Sequence, residues 1–263
     1  MKRLSLVYKT ALLGLLIITA SASVRRVEFK VSTIVIDAGH GGHDTGTLGK
    51  TCKEKEVALN IALELGKLIA SKLPKVKVIY TRKSDQYVPL DERADIANKS
   101  KADLFVCIHA NSMPGAKAYG TETYVMGTNA SKNNFEVAKR ENSVILLDKD
   151  YNERYEEFDP NNPESYILFS LSQSAYHESS LNFAQKVEDQ LEKQAGRHSR
   201  GVKQAGFWVL WRTTMPSALI ETGFLSHSKE EIYLKSPEGQ AAIANGIFSA
   251  LAEYKQEVES LNN

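Results

Sequence analysis

The sequence predicts an α/β fold: a mixed, mostly parallel central sheet of about six strands, with helices on both faces and an added helical insertion. Short apolar or alternating segments, typical of strands, are separated by longer segments in which apolar residues recur every three or four positions, as in helices. The composition agrees, because 42% of the 263 residues are hydrophobic and 25% are charged, as in globular domains. Functional side chains are therefore expected in loops at the carboxyl ends of the strands.

The N-terminal segment is expected to be a secretory signal that covers residues 1–22. Residues 1–3 are Met-Lys-Arg, residues 11–20 form an apolar run that is short for a membrane span, and residues 20–22 (Ala-Ser-Ala) are typical of a signal-peptidase site. An uncleaved N-terminal anchor is the alternative. Cleavage would leave residues 23–263 as one domain outside the cytoplasm, without stable membrane insertion.

The first half of the mature chain predicts three strands and two helices. A β-branched run at 33–36 leads into the glycine-rich stretch 37–42, and apolar residues then recur at helical spacing between 57 and 69. Pro74 ends this helix, because proline cannot supply the backbone hydrogen bond that continues it. The predicted strands are 33–36, 76–80 and 104–108, and the predicted helices are 54–73 and 90–99.

The second half predicts further strands and one unusual segment. The strands are predicted at 120–126, 207–210 and 218–220, and helical faces at 181–191 and 243–251. Residues 127–178 are rich in charge and contain Asp-Pro-Asn-Asn-Pro at 159–163. Because a structureless loop of about fifty residues is rare inside a compact domain, this segment is predicted to be a helical insertion with a role of its own.

Three side chains able to bind a metal lie at junctions between these elements. His40 lies in the glycine-rich loop, Glu54 begins the first long helix, and His109 follows the strand 104–108. The gaps of 14 residues from position 40 to 54 and 55 residues from 54 to 109 exclude a zinc finger, whose ligands come in close pairs. Two histidines and one carboxylate instead match a catalytic zinc site, where a bound water has a pKa of about 7. Glu221, directly after the strand 218–220, is placed to transfer that water's proton.

Each of these residues alone also fits an ordinary role, such as a turn histidine, a first-turn helix acid or an ion-pair partner. Their sequence context is more specific. The chain carries these strings in order: IDAGHGG at 36–42, EK at 54–55, TR at 81–82, Leu90 with Arg93, AN at 97–98, CIHAN at 107–111, GTET at 120–123, RGV at 200–202 and ETGFL at 221–225. Through these motifs, over about residues 31–255, it resembles the zinc-dependent N-acetylmuramoyl-L-alanine amidases of the amidase-3 type, bacterial enzymes that cut peptidoglycan.

The resemblance implies a site and a reaction. It implies that His40, Glu54 and His109 bind Zn²⁺ and that Glu221 is catalytic. It also implies hydrolysis of the amide between the lactyl group of N-acetylmuramic acid and the L-alanine of the stem peptide. Peptidoglycan is then the substrate, in cell-wall remodelling and daughter-cell separation, and the protein is expected in the periplasm.

Two residues depart from the usual family pattern, and one of them is a cysteine. Cys107 replaces a serine that is usual in such sequences, and His227 stands where a small amide residue is common. Cys107 lies two residues before His109, and Cys52 lies two residues before Glu54. A disulfide that braces the two segments is one reading, and two buried free thiols are the other. A cysteine metal ligand is less favoured than either.

The resemblance also suggests a role for residues 127–178. Cell-division amidases of Gram-negative bacteria carry an insertion here, and its helix covers the zinc until an activator protein displaces it. A carboxylate of the insertion is then expected to compete with substrate for the open zinc position. The candidates are Glu141, Glu153, Glu156 and Glu157. The alternative is a surface segment that only contacts substrate.

Other functions and site residues are weighed against this reading. A zinc carboxypeptidase or deacylase on a related fold, and a non-catalytic wall-binding regulator, remain alternatives, since ligands define the reaction better than the substrate. A nucleic-acid partner is not expected, because 33 Lys and Arg against 32 Asp and Glu give a formal charge of +1. No ligand role is assigned to His43, Asp44, His177, His198 or His227. Trp208 and Trp211 are expected in the core rather than in a glycan groove.

Overall fold

The central sheet has six strands within the described part of the chain. The computed structural model describes residues 30–127, 131–155, 158–166 and 175–262. The strands are Thr33–Ala38 (β1), Lys77–Tyr80 (β2), Leu104–Asn111 (β3), Thr121–Met126 (β4), Ser199–Ala205 (β5) and Ser217–Phe224 (β6). Their order is β2-β1-β3-β6-β4-β5, and the β4–β6 pair is antiparallel while the other pairs are parallel. The predicted mixed, mostly parallel sheet is confirmed, and the predicted signal at 1–22 lies outside the described residues.

Helices cover both faces of this sheet. They are Glu54–Lys72 (α1), Leu90–Lys99 (α2), Lys132–Asn142 (α3), Tyr151–Arg154 (α4), His177–Ala195 (α5), Trp208–Trp211 (α6), Ser228–Lys235 (α7) and Pro237–Ser260 (α8). Apolar residues of α1, α5 and α8 form one core, and residues of α2, α3 and α6 belong to the other. The central strands β3 and β6 are buried along their whole length, as expected for strands covered on both faces. None of the described helices has the length and apolar character needed to cross a membrane.

The predicted strand at 207–210 is wrong. Trp208–Trp211 forms one helical turn, and the strand of this region is Ser199–Ala205. A run of four buried apolar residues does not distinguish a strand from a helix, and the real strand is polar and half-exposed, so it lacks that signal. Trp208 is buried and its ring packs against Tyr155, which agrees with the expected core position.

The described part of the insertion is mostly helical and packs onto the sheet. Helix α3 begins after Ser131, whose side chain accepts a hydrogen bond from the Asn134 backbone N–H, a common N-cap. The helix buries Val137 and Ala138 in the second core. A 3₁₀ turn follows at Ser143–Leu147, and α4 comes next. This described part of the insertion therefore lies on the sheet face that carries α2 and α6.

Candidate active site

Four predicted site residues meet at one edge of the sheet, where β1, β3, β6 and the start of α1 place them. His40 lies two residues after β1, Glu54 is the first residue of α1, and His109 and Glu221 are register partners on β3 and β6. Parallel strands end at the same edge, so residues far apart in sequence come together there. All four side chains are buried, with exposed fractions of 8% or less.

His40, Glu54 and His109 point their polar atoms at one another. His40 Nε2 lies 3.0 Å from Glu54 Oε1, and His109 Nδ1 lies 2.9 Å from the same oxygen. The second Glu54 oxygen accepts a hydrogen bond of 2.8 Å from the Thr47 backbone N–H, which fixes the carboxylate. The ligand atoms of these three residues and of Glu141 all lie within 4.8 Å of one another.

The donor atoms of these residues are of the kinds that bind zinc. Two imidazole nitrogens and carboxylate oxygens are the ligands that zinc prefers at catalytic sites. His40 Nε2 and Glu141 Oε2 are buried and, although they lie close to each other and to other polar atoms, they make no hydrogen bond of acceptable geometry among the described residues, which is rare for buried polar atoms. A cation between them would satisfy both atoms.

Asp44 orients His40, although no ligand role was predicted for it. Its Oδ2 lies 2.8 Å from His40 Nδ1, so the other ring nitrogen of His40 faces the centre of the site. Histidine ligands commonly donate their second N–H to such a carboxylate, which fixes the ring and its tautomer. The sequence signal was an aspartate four residues after a histidine in a glycine-rich loop.

Two buried arginines hold the loop that carries His40. Arg82 Nη2 donates to the Gly39 carbonyl at 2.7 Å, and Arg93 Nη2 donates to the His40 carbonyl at 2.9 Å. His40 has a φ of 60°, a left-handed conformation that is costly for a residue with a Cβ. The arginines thus stabilise a strained loop. Their positions were recognised as motif residues, but their role depends on tertiary contacts.

Glu221 places a buried carboxyl group on the strand next to that of His109. It is fully buried on β6, and neither carboxylate oxygen has a hydrogen-bond partner among the described residues. Burial, assisted by the charge of Glu141, raises the pKa of Glu221 well above its usual value. A carboxyl group with a raised pKa can hold a proton near neutral pH and release it to a leaving group.

Helix α3 covers this site with Arg140 and Glu141. Glu141 Oε2 lies 3.2 Å from His40 Nε2 and 3.2 Å from His109 Nδ1. Arg140 Nη2 lies 2.9 Å from the other Glu141 oxygen and 3.8 Å from Glu221 Oε1. Arg140 also donates to the Ser112 carbonyl at 3.0 Å, which ties the helix to the end of β3.

Of the two candidate carboxylates that the structure describes, Glu141 and Glu153, Glu141 reaches the site. Glu153 is exposed on α4. Glu156 and Glu157 lie outside the described residues. The sequence could not select Glu141, because the choice depends on how α3 packs against β3.

The cysteines are free thiols. Cys52 and Cys107 are both buried and unbridged, so the disulfide reading is not supported. Cys107 Sγ donates to Asp37 Oδ2 at 2.9 Å, a contact that the usual serine hydroxyl could also make. Burial, with the charge of Asp37, raises the pKa of Cys107 to about 12. The thiol therefore stays protonated at neutral pH in the metal-free site.

Gly39 leaves room for the His109 ring, which leads to a testable expectation. A Cβ at position 39 would lie 2.5 Å from two ring atoms of His109. We expect Gly39→Ala to displace the ring and to weaken zinc binding about 10- to 100-fold, measured by competition with a chromophoric chelator. Gly196→Ala, at a left-handed helix end with open space around it, is the control for general destabilisation. Unchanged zinc affinity in Gly39→Ala would contradict the assigned geometry.

The fold and this site together define a class, that of metal-dependent hydrolases on an α/β scaffold. The chain matches the family Amidase_3, described as N-acetylmuramoyl-L-alanine amidase, over residues 34–253, and it belongs to this family. Members of the family are metal-dependent enzymes that hydrolyse peptidoglycan. The fold and family predicted from the sequence motifs are therefore confirmed.

Individual relatives agree with this assignment. The chain is 34% identical over 226 residues to the N-acetylmuramoyl-L-alanine amidase AmiC of Escherichia coli O6:H1, covering 84% of this chain and 52% of AmiC, so it spans about half of that relative. The amidase of Clostridium difficile 630 has a similar structure, with a TM-score of 0.64 and 29% identity over 86% of this chain and 97% of its own. The CwlD amidase of Clostridioides difficile was solved in complex with the GerS lipoprotein. It has a TM-score of 0.64 and 26% identity, and the match covers 86% of this chain and 99% of CwlD.

Proposed function

We propose that this chain is a zinc-dependent amidase that cleaves the bond between N-acetylmuramic acid and L-alanine in peptidoglycan. The observation that carries the proposal is the convergence of His40, Glu54 and His109 on one point, with Glu221 beside them on the neighbouring strand. Family membership supports the substrate, and the donor set supports zinc as the ion.

The site residues have distinct roles in this reaction. When bound, zinc supplies Lewis-acid chemistry that polarises the scissile carbonyl and lowers the pKa of water. His40 and His109 hold the ion as neutral imidazoles, and Glu54 provides the negative charge that balances it. Asp44 keeps His40 in the orientation for binding. Glu221 accepts the proton of the attacking water and donates it to the departing amine of L-alanine.

We further propose that α3 holds the enzyme at a low basal rate until a partner protein displaces it. Glu141 contacts the same two histidine nitrogens that face the site, and Arg140 lies beside Glu221. Substrate cannot approach these side chains while the helix occupies that space. The relative CwlD has been solved with a lipoprotein partner, which supports the idea that family members bind such proteins.

The proposed setting is the periplasm. Residues 1–22 would direct export and be removed, and residues 23–263 would form the catalytic domain, with 127–178 as its regulatory insertion. Attachment to the wall would then depend on the substrate groove or on the activator.

Product analysis tests the proposed reaction. Purified peptidoglycan incubated with zinc-loaded full-length protein should release stem peptides with an N-terminal L-alanine and leave the glycan chains intact, as measured by mass spectrometry. A chelator should abolish this release, and added zinc should restore it. Release of a single terminal amino acid would favour the carboxypeptidase alternative. Binding to the wall with no product, even in a variant with a disrupted α3, would favour the non-catalytic regulator.

A further inference from the structure

We propose that Arg200, held by Glu122 beside Lys203, binds the free α-carboxylate of the second residue of the stem peptide. This inference rests on the proposed function, because it names the substrate group that the site would recognise. It gives a role to the RGV motif at 200–202, which the zinc centre does not use.

A β-bulge places Arg200 and Lys203 on one face of the sheet. Strands β4 and β5 pair with Thr121 opposite Ser199 and Thr123 opposite Val202, so β5 contains one extra residue between these pairs. The bulge contains Gly201, whose φ of 84° is readily adopted by glycine. In a regular strand, two residues three positions apart would point to opposite faces. Here both side chains reach the same carboxylate, so the bulge sets their direction.

Glu122 anchors the two cations and leaves positive charge in excess. Glu122 is 1% exposed. Its carboxylate oxygens accept hydrogen bonds from Arg200 Nε at 2.6 Å and from Lys203 Nζ. They also accept hydrogen bonds from Tyr124 OH at 2.8 Å and from Asn111 Nδ2 at 3.2 Å. One buried anion thus faces two cations whose side chains are 28% and 21% exposed. The cluster of Glu122, Arg200 and Lys203 therefore has a net charge of +1, and its two cations are partly exposed to solvent.

The guanidinium of Arg200 is oriented for a carboxylate. Only its Nε donates to another group in the described part of the chain, which leaves Nη1 and Nη2 available. The guanidinium carbon lies 5.2 Å from the centre of the Phe224 ring, so the group is held at one end by an ion pair and on one side by an aromatic ring. A pre-oriented pair of N–H donors matches a carboxylate in bidentate geometry.

This cluster lies at a suitable distance from the bond to be cut. Glu122 is the register partner of Glu221, and Asn111 lies two residues beyond His109 on β3. Strand β4 is one strand spacing, about 5 Å, from β6, and the α-carboxyl of the second residue lies within about 7 Å of the amide nitrogen to be cut, two residues of extended chain. In peptidoglycan, L-alanine is followed by D-glutamate, which continues the chain through its side-chain carboxyl. Its α-carboxyl is therefore a free anion unless it is amidated.

Two small substrates can test whether the enzyme recognises the α-carboxyl group itself or only the peptide in general. We would compare N-acetylmuramoyl-L-alanyl-D-glutamate with N-acetylmuramoyl-L-alanyl-D-isoglutamine, which differ only in that α-carboxyl, using the zinc-loaded full chain. The expected kcat/KM is about 10- to 100-fold higher for the acid. Arg200→Gln should remove this preference, Arg200→Lys should retain only part of it, and Arg212→Gln, at an exposed site, should keep it. Equal rates for both substrates, or a preference that survives Arg200→Gln, would overturn the proposal.

A binding measurement keeps this test independent of the reaction. Calorimetry on the zinc-loaded Glu221→Gln variant should show tighter binding of the acid than of the amide, and adding Arg200→Gln should remove the difference. If neither the wild-type chain nor the Glu141→Gln variant hydrolyses either compound but this binding difference is present, the proposed reaction fails and the carboxylate site stands. If hydrolysis occurs without any preference in rate or in binding, the carboxylate site fails and the proposed reaction stands.

Discussion

Glu221→Gln is expected to lower the rate of peptidoglycan hydrolysis by about 10²- to 10⁴-fold, the usual effect of losing a general acid and base. Glutamine has nearly the same shape but cannot carry the proton between water and the leaving amine. The measurement is the release of stem peptides, accompanied by the zinc content of each preparation. Zinc content should not change, because Glu221 is not among the three proposed ligands.

The control for this variant is Glu192→Gln, which makes the same change at an exposed position of α5. It should leave both the rate and the zinc content unchanged. A Glu221→Gln protein that keeps zinc and full activity would contradict the catalytic role. Folding is not expected to suffer, since neither oxygen of Glu221 makes a hydrogen bond among the described residues.

Glu141→Gln is expected to raise the basal rate of the full chain about 10- to 100-fold. The Glu141 carboxylate lies 3.2 Å from both histidine nitrogens, where it could bind the metal, and a 10- to 100-fold rise in rate corresponds to losing about 1.4–2.8 kcal/mol of that interaction. Glutamine would compete less well for the metal, so the helix would leave the site more often. The measurement is hydrolysis of purified peptidoglycan without any partner protein.

Glu136→Gln is the matched control, because Glu136 lies on the same helix but is exposed. Its rate should equal that of the unchanged chain. Deletion of residues 140–178 should give an activity increase in the same direction, with the same zinc content. If both Glu141→Gln and a folded deletion variant show unchanged or lower activity, α3 does not inhibit the enzyme.

The parts of the site that follow strands and helix starts were predictable from the sequence. His40, Glu54 and His109 lie in motifs at the ends of elements, and parallel strands bring such ends together. Glu221 was predictable for the same reason, because it follows a buried apolar run. These predictions depend on local patterns and on one topological rule.

The parts that depend on packing between distant elements were not predictable. Glu141 could not be separated from the other acids of the insertion, since its reach depends on where α3 lies over β3. The short helix Trp208–Trp211 resembles a buried strand in its composition. Asp44 and Arg93 act through contacts with His40 that the spacing of residues does not reveal.

The burial of Val137 and Ala138 makes release of α3 a change in the core as well as in the site. Both side chains pack in the apolar cluster that contains Trp208, so lifting the helix exposes hydrocarbon surface to water. A protein that only repelled Glu141 would leave that surface uncovered. On the proposed mechanism, an activator would have to offer replacement nonpolar contacts. Part of its binding free energy would then be used to lift α3 from the core, so tighter binding and wider opening of the active site would rise together.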